Sequence, residues 1–172
     1  MTKGALYHHF SGKQALFEAV FERVEDDAAR AIHHALDGHQ DPWEKATAGL
    51  RAFLTVVPEP RYRRVVIQEG PAVLGYERYR EQEERSTFGS VLDIVRSVLG
   101  AGEWELDEGM LQTFARIFFG AMSSAGESVA TSEDPEEAAA RVEAAIGFMI
   151  TGFRTLADSG IDLPTAPPAT SS

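Results

Sequence analysis

The side chains best suited to chemistry sit at the very start of this 172-residue chain. Thr2, Lys3 and Gly4 are small, hydrogen-bonding or cationic, Tyr7 and His8 follow roughly one turn later, and Lys13 stands at the start of the next helix. On a short helix, residues of the first kind reach base edges in a major groove, while tyrosine, histidine and lysine further on donate to phosphate oxygens. Leu6 and Phe10, four apart, supply inward anchors for such a helix. The bland alternative is a surface helix with a core tyrosine. The first 16 residues contain Lys3 and Lys13 and no acidic residue, whereas acidic clusters at Glu25 to Asp27 and Glu133 to Glu137 lie beyond them. With a net charge of −11 the chain as a whole repels a phosphate backbone, so any contact with nucleic acid is confined to this end.

Other chemistries are poorly served. His8, His9, His33, His34 and His39 are the imidazoles, but adjacent helical residues point about 100° apart, so neither pair chelates a metal by itself. Exposed helical histidines are the commoner reading. Gly4 to Gly12-Lys13 is no phosphate loop, because seven residues separate the glycines and Gln14 follows the lysine. The absence of cysteine removes disulfides, thiolate metal sites and cysteine nucleophiles. No nucleophile elbow or dinucleotide fingerprint occurs, so neither an enzyme nor a cofactor is expected. No apolar run approaches about 18 residues and no secretion signal is present, which points to a cytoplasmic protein without a membrane partner.

These residues need helices to carry them, and helical periodicity dominates. A 44% hydrophobic content in a chain of this length suits one domain with a substantial core. From Leu16, Val20, Val24, Ala28, Ile32 and Ala35 recur every three or four residues, predicting a helix over about 12–36 with Ser11 and Gln14 as a capping box. Asp41-Pro42-Trp43-Glu44 starts a second helix running to about Val57, which Pro58 and Pro60 break. A shorter helix, Arg61 to Glu69, is expected to stop at Gly70-Pro71; Val65, Val66 and Ile67 also suit a strand, though without an obvious partner. A long helical stretch then runs from Ala72 to Leu99. Asp107 opens a helix to about Ala130, where Gly120, Ser123, Ser124 and Gly126 allow close approach. Asp134-Pro135-Glu136-Glu137 starts the last helix, to Asp158, and the Pro, Ala, Thr and Ser tail from Leu163 is expected to be disordered.

Residues 2 to 20, TKGALYHHFSGKQALFEAV, resemble the end of the TetR-family helix-turn-helix: the recognition helix, its exit and the start of the helix that links it to the regulatory body. Gly70-Pro71-Ala72-Val73-Leu74-Gly75 is similar to a segment of one TetR subgroup. The resemblance implies an all-α, TetR-like helical regulatory domain of about seven helices with a remnant of the N-terminal helix-turn-helix. It divides the chain into that remnant at 1–12, a ligand-binding and dimerisation domain at 13–160, and a tail at 161–172. Family members place two bracing helices before the recognition helix, and this chain begins at Met1 just before the groove-entering turn. A start assigned too late, a fragment and a degenerate product all account for that. Specific operator binding is accordingly expected of a version extended upstream and not of these 172 residues.

The function implied is a ligand-responsive transcriptional repressor whose operator DNA binding is relieved by a small apolar or amphipathic effector. Thr2, Lys3, Gly4, Tyr7, His8 and Lys13 are its candidate DNA contacts. In such domains aromatic residues surround a cavity, which nominates Trp43, Phe53, Gln68, Tyr76, Phe88, Phe114, Phe118 and Met122 for the effector, with Tyr62, Glu69 and Ser123 nearby. For any one of them simple core packing is the commoner reading. The last two helices carry the candidate homodimer residues Met122, Val142, Ile146, Met149 and Phe153, unless both faces close on their own subunit. The alternative function is a helical dimeric small-molecule binder without a DNA role.

Overall fold

A computed structural model describes residues 10, 12–102, 104 and 106–161. All regular structure among them is helical. Six continuous helices follow one another: α1, Lys13–Leu36; α2, Pro42–Val56; α3, residues 60–74; α4, residues 76–101; α5, Glu108–Thr131; and α6, Pro135–Asp158. No helix of the described residues is long and apolar enough to cross a membrane.

The starts are set by local side-chain chemistry. A helix begins with amide hydrogens that lack an internal acceptor, and an aspartate just before it supplies one. Asp41 accepts from the Trp43 amide at 2.9 Å, Asp107 from Met110 at 2.7 Å and Asp134 from Glu137 at 2.9 Å. Pro42 and Pro135 occupy first turns, where a missing amide hydrogen costs nothing. α1 begins at Lys13 after Gly12, and the expected cap Ser11 lies outside the described residues.

The middle of the chain departs from expectation. Gly70-Pro71 does not stop a helix, and Val65 to Ile67 form no strand. α3 runs as Pro60–Tyr62, a π-helical stretch Arg63–Glu69 and Gly70–Leu74. The widened π turn shifts the hydrogen-bond register just ahead of Pro71, so the ring and its absent donor are accommodated where an unbroken α-helix would be kinked. The break falls instead at Gly75, whose φ of 79° is a conformation that favours glycine. α4 therefore starts at Tyr76 rather than Ala72, and it too contains a π-helical stretch, Glu84–Phe88, before Gly89–Ala101.

Three buried clusters hold the helices together. Leu50, Leu54 and Val57 of the α2 segment meet Val129 and Ala130 of α5 and Ile146 of α6. Phe21 and Val24 of α1 meet Val66 and Leu74 of α3. Val95 and Leu99 of α4 meet Ala115 of α5. Glycines permit the closest approaches: a Cβ on Gly126 would lie 2.8 Å from Phe53 Cζ, and one on Gly70 would lie 2.9 Å from the Phe21 ring. Burying a large aliphatic or aromatic side chain contributes about 1.5–3 kcal/mol, so fully buried Phe21, Val57, Val66 and Val129 anchor the arrangement that leaves a cavity between the clusters.

Candidate functional site

All six helices contribute to a cavity of about 150 Å³. Trp43, Leu50 and Phe53 come from α2, Ile94 and Val98 from α4, Phe118 and Met122 from α5, and Ile146, Ile150 and Phe153 from α6. α1 and α3 add Glu25, Ile32, Tyr62 and Ile67. The wall is therefore mostly apolar, with Glu25, Glu83, Thr87, Ser90 and Ser123 as its polar points. Aromatic edges stiffen one side: Phe153 meets Phe114 at 6.1 Å, edge to face, and Phe118 at 6.1 Å.

The polar end is built by periodicity on α1. Phe21, Val24 and Ala28 are buried at three- and four-residue spacing, and they carry Glu25 inward beside them. Glu25 is only 5% exposed. Ser86 Oγ, on the π-helical stretch of α4, donates to its Oε2 at 2.8 Å. Burial pushes the Glu25 carboxyl up to about 7; the Ser86 bond opposes that rise, and the nearby charges of Glu83 and Asp26 add to it. Glu83 is likewise raised by burial, against the pull of the Tyr79 hydroxyl, which donates to it at 3.0 Å, and of Arg80 at 3.8 Å. Tyr62 and Tyr79 are held protonated, by burial first and by these carboxylates second.

Four of the residues nominated for an effector, Trp43, Phe53, Phe118 and Met122, line the cavity, as do Tyr62 and Ser123 nearby. Four do not. Gln68 is exposed, as is Glu69 beside it, because the π turn rotates the end of α3 relative to a regular helix. Tyr76 is 74% exposed at the first position after the Gly75 break. Phe88 packs edge-on against Phe119 at 5.7 Å beneath the Arg116 guanidinium, and Phe114 stands behind Phe153, so both back the wall without lining it. Sequence reasoning missed Glu25, Glu83, Thr87 and Ser90. For Glu25 the signal was present, since it interrupts the apolar stripe of α1 between Val24 and Ala28.

The residues nominated for a dimer mostly face their own subunit. Ile146 is a core residue at 7% exposed, Val142 packs on the same cluster, and Met122 and Phe153 line the cavity. Met149 alone is exposed. The outward apolar face consists instead of Ile117 at 62%, Phe148 at 79% and Met149 at 42% exposure. Beside them an added Cβ on Gly120 or Gly152 would meet nothing. α5 and α6 are each apolar on two sides, and the inner side carries the residues that sequence periodicity had placed outside.

Of the candidate DNA contacts, Thr2, Lys3, Gly4, Tyr7 and His8 lie outside the described residues, while Lys13 is the exposed first residue of α1. His33 hydrogen-bonds Ser90 at 2.9 Å and His39 meets Glu44 at 3.4 Å. No group of three potential metal ligands comes together among the described residues.

A family model described as "Tetracyclin repressor-like, C-terminal domain" matches residues 43–153, and one described as "Bacterial regulatory proteins, tetR family" matches residues 1–20. The nucleoid occlusion factor SlmA of Shewanella amazonensis is 29% identical over 119 residues, an alignment covering 64% of this chain. The chain spans 59% of that relative's length. A crystal structure of a TetR-family transcriptional regulator from Pectobacterium atrosepticum is similar with a TM-score of 0.76 at 27% identity, over 89% of this chain and 77% of that one. With the helical architecture and most of the chain accounted for in this way, the chain belongs to the TetR family of bacterial regulatory proteins.

Proposed function

We propose that this chain acts as a ligand-responsive transcriptional repressor, with residues 13–160 forming the effector-binding and dimerisation body and a small apolar or amphipathic effector relieving DNA binding. The observation that carries the reading is the cavity, an apolar chamber lined by every helix and touched by few polar groups. A monomer gains nothing in stability by keeping such a volume empty, because each wall atom forgoes dispersion contacts. Operator DNA is the partner assigned to the N-terminal end, in a form that carries a complete helix-turn-helix. There Thr2, Lys3 and Gly4 reach base edges, and Tyr7, His8 and Lys13 hold phosphates. A homodimer through α5 and α6 covers Ile117, Phe148 and Met149, large apolar side chains that are costly to leave in water. The similar Pectobacterium protein is a transcriptional regulator, which supports the same role here.

Ligand screening tests the switch. Compounds that bind the cavity raise the thermal midpoint in proportion to ligand excess, and the same compounds are expected to release operator DNA, in a gel shift, from a form that carries a complete helix-turn-helix. Phe118→Ala and Trp43→Ala should both weaken the response. Binding unchanged in both variants would put the effector site elsewhere, and ligands without effect on DNA would remove the switch.

A further inference from the structure

The cavity is apolar over most of its wall, yet the end formed by α1 and α4 carries two carboxylates, and the more buried one lacks a counter-ion. Glu25 accepts a single side-chain hydrogen bond, from Ser86 to Oε2; its other oxygen, Oε1, accepts none from the described residues. Among the described residues no lysine, arginine or histidine lines the cavity. None of the ion pairs among the described residues involves Glu25, although its neighbour Glu83 has both the Tyr79 hydroxyl and Arg80. The other groups near Glu25 are acidic or neutral: Glu83 and Ser86 from α4, Tyr62 from α3 and Asp26 from α1. A carboxylate buried in apolar surroundings is strongly destabilised unless a cation pairs with it. Here the space for that cation is the cavity itself.

We propose that the cavity takes an organic monocation with a compact apolar body, such as an aralkylamine, whose protonated nitrogen sits against Glu25 with Glu83 as a second, weaker attraction. The inference rests on the cavity being the effector site, and it names the ligand's charge. A neutral ligand of the same shape leaves Glu25 unpaired. An anion meets two carboxylates, of which only Glu83 has a cation beside it. A cavity of about 150 Å³ is the size that holds a single aromatic ring, so the apolar body is small. Ser86, by occupying Oε2, leaves Oε1 for the ligand, while Thr87 and Ser90 in the wall can accept the nitrogen's remaining hydrogens.

Calorimetric titration of the full chain with 2-phenylethylamine, 2-phenylethanol and phenylacetate tests this with nearly one shape and three charges. At about pH 8 the amine is protonated, as a lysine side chain is. On the unmodified protein the amine is expected to bind roughly 10- to 100-fold more tightly than the alcohol, the range for a hydrogen bond to a charged group, with phenylacetate weakest. In Glu25→Gln that preference should fall to near parity while the alcohol still binds. An alcohol as tight as the amine on the unmodified protein, or an amine preference that survives Glu25→Gln, overturns the cation and leaves the cavity as an effector site. Failure of all three to bind removes both. The comparison on the unmodified protein needs no variant, so it decides the matter even if Glu25→Gln folds poorly.

Discussion

Two surfaces of this molecule break the pattern of apolar inside and polar outside, and they break it in opposite directions. On the outward side of α5 and α6, Ile117, Phe148 and Met149 face solvent. On the inward side of α1 and α4, Glu25 and Glu83 face an apolar chamber. Scattered exposed hydrophobics are ordinary, but a cluster on adjacent helices and a nearly buried, unpaired carboxylate are not. On the reading proposed above, each marks a place where a partner would restore the pattern, a second subunit in one case and a ligand in the other. The helices that join the two surfaces are the same, since α5 and α6 offer Phe118, Met122 and Phe153 to the cavity on their inner side.

The largest effect is expected on the outer surface. Phe148→Glu combined with Met149→Glu places two charges where the proposed second subunit packs, and burying unpaired charge outweighs the remaining contact energy. A loss of about 4 kcal/mol or more, a thousandfold in Kd, converts dimer to monomer at micromolar concentration in sedimentation. Helical content should persist. A dimer unchanged by both charges would show that the exposed patch has another purpose.

On the inner surface the same kind of exchange has the opposite sign. Glu25 binds its proton more tightly folded than unfolded, because its carboxyl rises from 4.5 to about 7. Below the lower value both states are protonated and burial of the acid costs nothing extra; as pH rises through this window the native state loses stability relative to the unfolded chain, and above the upper value the loss is constant. The full shift corresponds to about 3 kcal/mol. Glu25→Gln should remove it. Denaturant unfolding is expected to find the variant more stable than the parent at pH 8 and little different at pH 4.5, and equal stabilities at both would show the carboxylate to be satisfied as it stands.

The smallest effects compare two glycines on one helix. Gly126→Ala drives a methyl group against the Phe53 ring and is expected to cost about 1–2 kcal/mol, while Gly120→Ala meets nothing and should gain about 0.5–1 kcal/mol from helix propensity. Measuring both in the monomeric background isolates the subunit from its dimer. If the two substitutions had equal effects, the inward and outward assignment of α5 would be wrong.

What the sequence determined by itself is what acts over a few residues. Asp41, Asp107 and Asp134 cap helices because a side-chain oxygen two or three positions from an orphan amide needs no tertiary contact to find it. The all-α class follows from the same local rules, and the N-terminal motif carried the family. Tertiary structure decided the rest, because burial depends on which of several apolar stripes meets another helix. α5 and α6 have two such stripes, so the spacing of Ile146, Met149 and Phe153 could not say which faced inward. Gly70-Pro71 reads as a stop until a π turn absorbs it, and Gly75 reads as passable until its positive φ ends α3. Glu25 interrupts an apolar stripe in the sequence, but only the tertiary approach of Ser86, 61 residues away, shows what surrounds it. A charge becomes chemically distinctive when water is removed from it, and that removal takes several helices acting together.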